Sequence, residues 1–139
     1  MAEVFRHELR VRYAECDAQG CVFNGNYLMY FDVTMTELWR EAIGSYQAMI
    51  DAGTDMVVAE ARVRYRRPVL FDDLVAIEAR VARLGDTSLT TALTVVREGE
   101  AAAEGELRHV FVQTGTSEPK SIPADVRAGL APYLSENEG

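Results

Sequence analysis

From Val4 to Tyr13 the chain alternates, with Phe5, His7, Leu9, Val11 and Tyr13 on one parity and Arg6, Glu8, Arg10 and Arg12 on the other. A period of two predicts a strand with one buried face. Small and acidic residues break the alternation over Ala14–Gly20, as a loop does. Between Asn24 and Ala42 the apolar residues Leu28, Phe31, Met35, Leu38, Trp39 and Ala42 recur at three- and four-residue intervals, the stripe of an amphipathic helix. Tyr27, Tyr30 and Ile43 widen that stripe, so protein is expected to cover most of the helix circumference. Gly44 ends it, and Ser45 is placed to cap a short helix over Tyr46–Ala52 that Gly53 closes.

Beyond Gly53 four segments read as strands: Met56–Arg67, Leu74–Leu84, Ser88–Arg97 and Ala101–Thr114. Gly85-Asp86 and Glu98-Gly99-Glu100 are hairpin-sized separators, so the last three strands form an antiparallel meander. A helix is expected over Ala124–Ala131, with Pro123 suited to its first turn, and Ser135–Gly139 reads as a frayed acidic tail. A strand, a loop, one long apolar helix and four more strands predict an α+β domain of two layers, the sheet wrapping the helix that nothing else is large enough to cover.

Composition narrows the function. The chain has 139 residues, 48% of them hydrophobic, which is one ordinary domain. A net charge of −8 argues against nonspecific nucleic-acid binding and against an anionic membrane surface, while leaving an anionic small molecule open if positive charge is local. There is no apolar run of spanning length and no basic-then-apolar leader, so the expected compartment is the cytoplasm. Cys16 and Cys21 are expected as reduced thiols, and His7 and His109 lack metal-site spacing, so no metal is expected.

No G-x-S-x-G elbow, phosphate loop or H-E-x-x-H helix is present, which leaves carboxylates as candidate chemistry. Asp17 stands in the loop before the long helix. A helix start offers unpaired N–H groups and the positive end of the macrodipole, both suited to a developing oxyanion. A carboxylate beside it serves as nucleophile or general base, or else it closes a turn or caps the helix. Arg62, Arg64, Arg66 and Arg67 crowd one strand, either to hold phosphates or as a solvated, defended sheet face. Asp32, beside Phe31, Leu28 and Met35, is either a paired carboxylate or a polar contact in a pocket. His7 and His109 lie on apolar parities and are expected to be packed, and Cys16 reads as a passive loop thiol.

The run Arg12-Tyr13-Ala14-Glu15-Cys16-Asp17-Ala18-Gln19-Gly20-Cys21-Val22-Phe23-Asn24-Gly25-Asn26-Tyr27 resembles the signature of the hotdog-fold acyl-CoA thioesterases of the 4-hydroxybenzoyl-CoA thioesterase class, Tyr-x-x-x-Asp-x-x-Gly-x-Val-aromatic followed by Asn-Tyr. The likeness continues through Val63–Pro68, Phe71-Asp72-Asp73, Thr87–Thr90, His109–Val112 and Ile122-Pro123. It implies a hotdog fold, a long central helix wrapped by a five-stranded antiparallel sheet, as a single domain over residues 1–134 followed by the tail at 135–139.

The resemblance also implies a thioesterase that hydrolyses an acyl-CoA to free acid and coenzyme A. Asp17 would be nucleophile or general base, the Asn24 backbone amide the oxyanion donor, and Gly20 would set the loop geometry. Phe23, Tyr27, Phe31, Asp32, Thr87 and Ser88 are the expected substrate-binding residues, and Arg64, Arg66 and Arg67 the expected contacts to coenzyme A phosphates. No cofactor is implied, since coenzyme A is part of the substrate. The implied assembly is a homodimer or homotetramer with sites at subunit interfaces. The chain departs from many relatives in carrying no histidine near Cys21 or Asn24, so Asp17 is expected to work without a neighbouring imidazole. Two further readings stay open: a noncatalytic acyl-thioester binder, and a hydratase or dehydratase, which would need a His/carboxylate pair that the helix-entry loop lacks.

Overall fold

The structure is a computed structural model that describes residues 2–135. Strand β1 (Phe5–Arg10) is shorter than its alternation, and the reason is the side chain of Glu15. Its carboxylate accepts from the Arg12 N–H at 2.9 Å and from Arg12 Nε at 2.6 Å, which turns Tyr13–Glu15 into a single turn of 3-10 helix. A local side-chain bond has outcompeted the ladder. Val11 stays buried, bonded to the 72–73 backbone, while Tyr13 swings out to 80% exposure.

Helix α1 (Asn26–Ala42) starts two residues later than its apolar stripe, because Asn24 and Gly25 form a turn in which the Phe23 carbonyl accepts from the Asn26 N–H at 2.9 Å. Helix α2 (Tyr46–Asp51) is capped by Ser45, whose hydroxyl accepts from the Ala48 N–H at 3.0 Å. Strand β2 (Thr54–Tyr65) begins and ends two residues before the expected Met56–Arg67, since the Arg66 and Arg67 amides both turn to the Ala102 carbonyl. Strands β3 (Leu74–Leu84) and β4 (Ser88–Arg97) have the expected bounds, and β5 covers Glu100–Gln113. Helix α3 (Ala124–Leu130) has Pro123 as its N-cap rather than inside its first turn. Ser135 is not frayed: its N–H donates to the Val81 carbonyl at 2.9 Å. The rest of the expected tail lies outside the described residues.

The five strands form one antiparallel sheet in the order β1-β3-β4-β5-β2, which leaves β1 and β2 as edges. Register stacks Ile77, Val95 and Ala103 on one face, and Leu93 with Gly105 on the same face. Helix α1, seventeen residues long, lies against that face with Tyr30, Phe31, Leu38 and Trp39 at 2% exposure or less. Each such side chain withdrawn from water stabilises by about 1.5–3 kcal/mol. Gly105 makes the approach possible: a Cβ there would sit 2.7 Å from the Phe31 ring and collide with the Arg62 carbonyl.

Candidate active site

The segment between β1 and α1 folds back on itself as a short hairpin. The Phe23 N–H donates to the Glu15 carbonyl at 2.9 Å, Cys16 pairs with Val22, and the Asp17 N–H donates to the Cys21 carbonyl at 2.8 Å. Gly20, at φ +80°, closes the tip in a conformation that favours glycine, with its N–H on the Asp17 carbonyl at 3.0 Å. Asp17 is exposed, and its Oδ1 accepts from the Gln19 N–H at 2.8 Å and the Cys21 N–H at 3.3 Å. Its Oδ2 makes no hydrogen bond among the described residues. One oxygen therefore shapes the loop, and closing the turn leaves the other oxygen of the carboxylate uncommitted.

That hairpin is braced on two sides. The Val22 N–H donates to the Val69 carbonyl at 2.8 Å and the Phe71 N–H to the Gly20 carbonyl at 3.1 Å. Asp73 fixes this bracing loop by accepting from the Leu70 N–H at 2.8 Å and Arg97 Nε at 2.6 Å. At its base lies Glu15, 6% exposed, bonded to Arg12 and to the Tyr30 hydroxyl at 2.8 Å. Burial would raise this carboxyl, but the Arg12 N–H, the Tyr30 hydroxyl and the Arg12 guanidinium together hold it below the usual carboxylate range. Tyr30 is correspondingly pushed well above the ordinary phenol, by burial first and by the Glu15 carboxylate second.

At the same base, beside Glu15, stands the entry to α1. The Phe23 carbonyl is taken by the Asn26 N–H, and the Asn24 carbonyl by the Tyr27 N–H at 3.3 Å and the Tyr65 hydroxyl at 3.0 Å. The Asn24 and Gly25 N–H groups have no acceptor among the described residues. No acidic side chain sits in the first turn of α1 to offset its positive end. A carboxylate with a free oxygen and two unpaired amides thus belong to one short hairpin, and these are the two kinds of group that carbonyl chemistry uses.

The expected site residues fall in separate places. Asp17 and Gly20 line a cleft of about 530 Å³ with Cys16, and with Tyr13 and Phe71, an exposed edge-to-face pair with centroids 5.7 Å apart. Burial first, and then the Asp17 charge, raise the Cys16 thiol, so it stays protonated as a passive neighbour. Phe23 and Asn24 are exposed beside the helix entry. Tyr27 and Phe31 are enclosed at 3% and 0% exposure, and neither lines the cleft: they hold α1 to the sheet. Thr87 ends the β3–β4 turn and Ser88 opens β4; the Thr87 carbonyl accepts from the Phe111 N–H and the Ser88 carbonyl from the Gly85 N–H.

Asp32 opens instead on a cavity of about 820 Å³ between α1, α2, β2 and β5, with Trp39, Met56, Val58 and His109. No residue lines both this cavity and the Asp17 cleft, so within one chain the two are separate. Trp39 Nε1 and His109 Nδ1 are buried there without a hydrogen-bond partner among the described residues. Burial holds His109 below the usual imidazole range, against the opposing pull of Asp32.

The arginine row behaves largely as a paired sheet face. Arg62 bonds Glu106, Arg66 bonds Glu104 at 2.9 Å and Arg67 approaches Glu100 at 3.4 Å. Arg64 has no carboxylate partner among the described residues. Both cysteines are free thiols. Among the described residues no group of His, Cys, Asp and Glu could hold a metal ion, and no helix is long and apolar enough to cross a membrane.

Sequence reasoning missed Glu15, Tyr65 and the Tyr13–Phe71 pair. Glu15 and Tyr13 stand inside the signature run and Phe71 just before Asp72-Asp73, but only the fold shows which partners they meet.

The comparisons with known proteins place the chain in a family and a fold. Residues 11–130 match the family model described as the Thioesterase-like superfamily, and the chain belongs to that family of enzymes. It is 31% identical over 122 residues to a putative esterase of Aquifex aeolicus, covering 88% of this chain and 94% of that one. To the acyl-CoA thioester hydrolase YbgC of Escherichia coli it is 29% identical over 126 residues, covering 90% and 94%. The crystal structure of a hypothetical protein from Aquifex aeolicus superimposes with a TM-score of 0.85 at 31% identity, covering 91% and 98%. The α+β, five-stranded antiparallel fold is therefore the thioesterase hotdog.

Proposed function

We propose that this thioesterase hydrolyses acyl-CoA thioesters at the Asp17 hairpin. The observation that carries the reading is the pairing, on one braced hairpin, of a carboxylate with a free oxygen and two unpaired amides at a helix start. In it the thioester carbonyl oxygen takes the Asn24 N–H while Asp17 attacks the carbonyl carbon or activates water. Coenzyme A thiolate then leaves. The attack forms an acyl-Asp17 anhydride that water opens, whereas the activation delivers hydroxide directly, and both return the carboxylate unchanged. The YbgC relative, named as an acyl-CoA thioester hydrolase, supports the substrate class.

A second copy of the chain completes the acyl pocket in this reading. Strand β2 is an edge strand with Val57 and Val58 about half exposed, which an isolated sheet rarely leaves open. The Asp32 cavity lies along that edge, against Met56 and Val58. A partner seated there would wall the cavity and bring its own hairpin toward it, joining two regions that one chain keeps apart. Of the arginine row, Arg64 is the candidate left for a coenzyme A phosphate, because Arg62, Arg66 and Arg67 already hold carboxylates.

The test is thiol release from a panel of aromatic and aliphatic acyl-CoA esters by wild type beside Asp17→Asn. Hydrolysis of any member, lost on the order of a hundredfold or more in the variant, is the expected result. No hydrolysis across the panel, with a nonhydrolysable acyl-CoA analogue still bound, would replace the enzyme with a binder. A hydratase is disfavoured because neither histidine lines the Asp17 cleft.

A further inference from the structure

The strand β2 residue Tyr65 reaches across to the helix entry. Its hydroxyl donates to the Asn24 carbonyl at 3.0 Å, and its ring meets the Tyr27 ring edge-to-face with centroids 5.2 Å apart. Tyr27 is buried in the core, so the contact anchors a half-exposed strand side chain to the first turn of α1. The bond has a directional consequence. In a trans peptide the carbonyl of one residue and the N–H of the next point to opposite sides of a rigid plane. Holding the Asn24 oxygen toward β2 therefore aims the Gly25 N–H the other way.

The neighbouring peptide is fixed by the same logic. The Phe23 carbonyl is held by the Asn26 N–H at 2.9 Å, which aims the Asn24 N–H outward too. Asn24 and Gly25 are the central residues of the turn this bond closes, and Gly25 at φ −66° and ψ −21° makes it a type I turn, whose two central N–H groups both have helical direction and run side by side. Neither amide has an acceptor among the described residues. A hydroxyl that donates to a carbonyl also draws electron density through the peptide and makes its N–H a stronger donor.

We propose that Tyr65 is a positioning residue that locks and polarises the Asn24–Gly25 peptide, so that the oxyanion site is a pair of adjacent amides, Gly25 N–H beside Asn24 N–H. This rests on the thioesterase reading for its kinetic consequence but not for its geometry. Tyr65 touches no reacting atom. Its effect grows as charge moves onto the carbonyl oxygen, so it belongs to the transition state more than to the bound substrate. The other groups around the turn do not replace it: the Asn26 side chain donates to the Glu15 carbonyl at 2.8 Å, and the Asn24 carbonyl has only the long Tyr27 amide contact of 3.3 Å besides.

The experiment uses Tyr65→Phe, which keeps the ring and its Tyr27 contact and removes one oxygen. In ¹⁵N-labelled wild type and variant the amide resonances of residues 24–26 are compared, with the rest of the spectrum as the check on fold. The Gly25 N–H is expected to move upfield and to become the largest change. In thiol-release kinetics on the best substrate of the panel, kcat is expected to fall about tenfold while KM changes less than about twofold, as for a donor that matters in the transition state.

An unmoved Gly25 resonance overturns the proposal whatever the kinetics show. A moved resonance with unchanged kcat overturns the catalytic part, and a raised KM at constant kcat assigns Tyr65 to ground-state binding, which overturns it also. If wild type hydrolyses nothing, the thioesterase reading fails on its own, and the Gly25 resonance still decides whether Tyr65 sets the peptide.

Discussion

The Tyr30 hydroxyl donates to the buried Glu15 carboxylate at 2.8 Å, tying the first turns of α1 to the base of the hairpin that carries Asp17. The same carboxylate oxygen accepts the Arg12 N–H at 2.9 Å, and its partner oxygen takes Arg12 Nε at 2.6 Å. Glu15 thus joins the end of β1, the 3-10 turn and the helix, and the mobile-looking signature segment is held by a buried polar knot.

Removing the two ends of this bond should cost different amounts. Tyr30→Phe leaves Glu15 with its Arg12 bonds and is expected to destabilise by about 1–2 kcal/mol. Glu15→Ala strands the Tyr30 hydroxyl in the core and frees the turn, so about 2–4 kcal/mol is expected. Urea titrations of the two variants measure this ordering, and a Glu15→Ala midpoint at or above that of Tyr30→Phe would contradict it.

The bracing loop offers a second test, through Asp73. Its Oδ2 carries both the Leu70 N–H and Arg97 Nε, and both side chains are largely shielded. Asp73→Ala is expected to cost about 1–3 kcal/mol by leaving these donors unpaired. Because the loop holds Gly20 through the Phe71 N–H, turnover should fall more than the stability change alone explains, an effect read by kcat well below the unfolding transition. Full activity in a folded variant would detach the loop from the site.

Gly105 is expected to be irreplaceable for reasons of space. Its φ is not positive, so backbone freedom is not the issue; a Cβ would meet the Phe31 ring at 2.7 Å and the Arg62 carbonyl still closer. Phe31 is fully buried and the carbonyl belongs to the strand ladder, so neither yields cheaply. Gly105→Ala should destabilise by about 1–3 kcal/mol, seen as a lower melting temperature.

How far the sequence reveals this molecule depends on the range of the interaction. Strands β3 and β4 are legible to the residue because alternation and a two-residue turn are local signals. The end of β1 is not, since the Glu15 side chain overrides a perfect alternation through Tyr13. The arginine row reads equally as a phosphate site or a defended face until register sets Arg62 opposite Glu106 and Arg64 opposite Glu104, on strands distant in sequence. Asp17 and Asn24 stand out through their family resemblance, whereas Tyr65 lies forty-one positions from the carbonyl it holds and is reached only through the sheet.

Acid should weaken the fold in two steps, with signs that follow from burial. His109 is 6% exposed and its imidazole is held below the ordinary value of 6.5, by desolvation first, with the Asp32 charge pulling the other way. Below that value the unfolded chain binds a proton that the native chain resists, so the native state loses stability as pH falls from 6.5 toward the lowered native pKa. Glu15 acts lower down: its carboxyl titrates below the ordinary value of 4.5 in the native state, so its contribution is intact above that pH and lost as pH falls through the native pKa. Denaturant midpoints between neutral pH and mild acid should therefore decline in wild type, and His109→Asn, with no imidazole to charge, should flatten the upper part of that decline. A slope unchanged in His109→Asn would place the titrating group elsewhere, and Glu15→Gln should alter only the lower step.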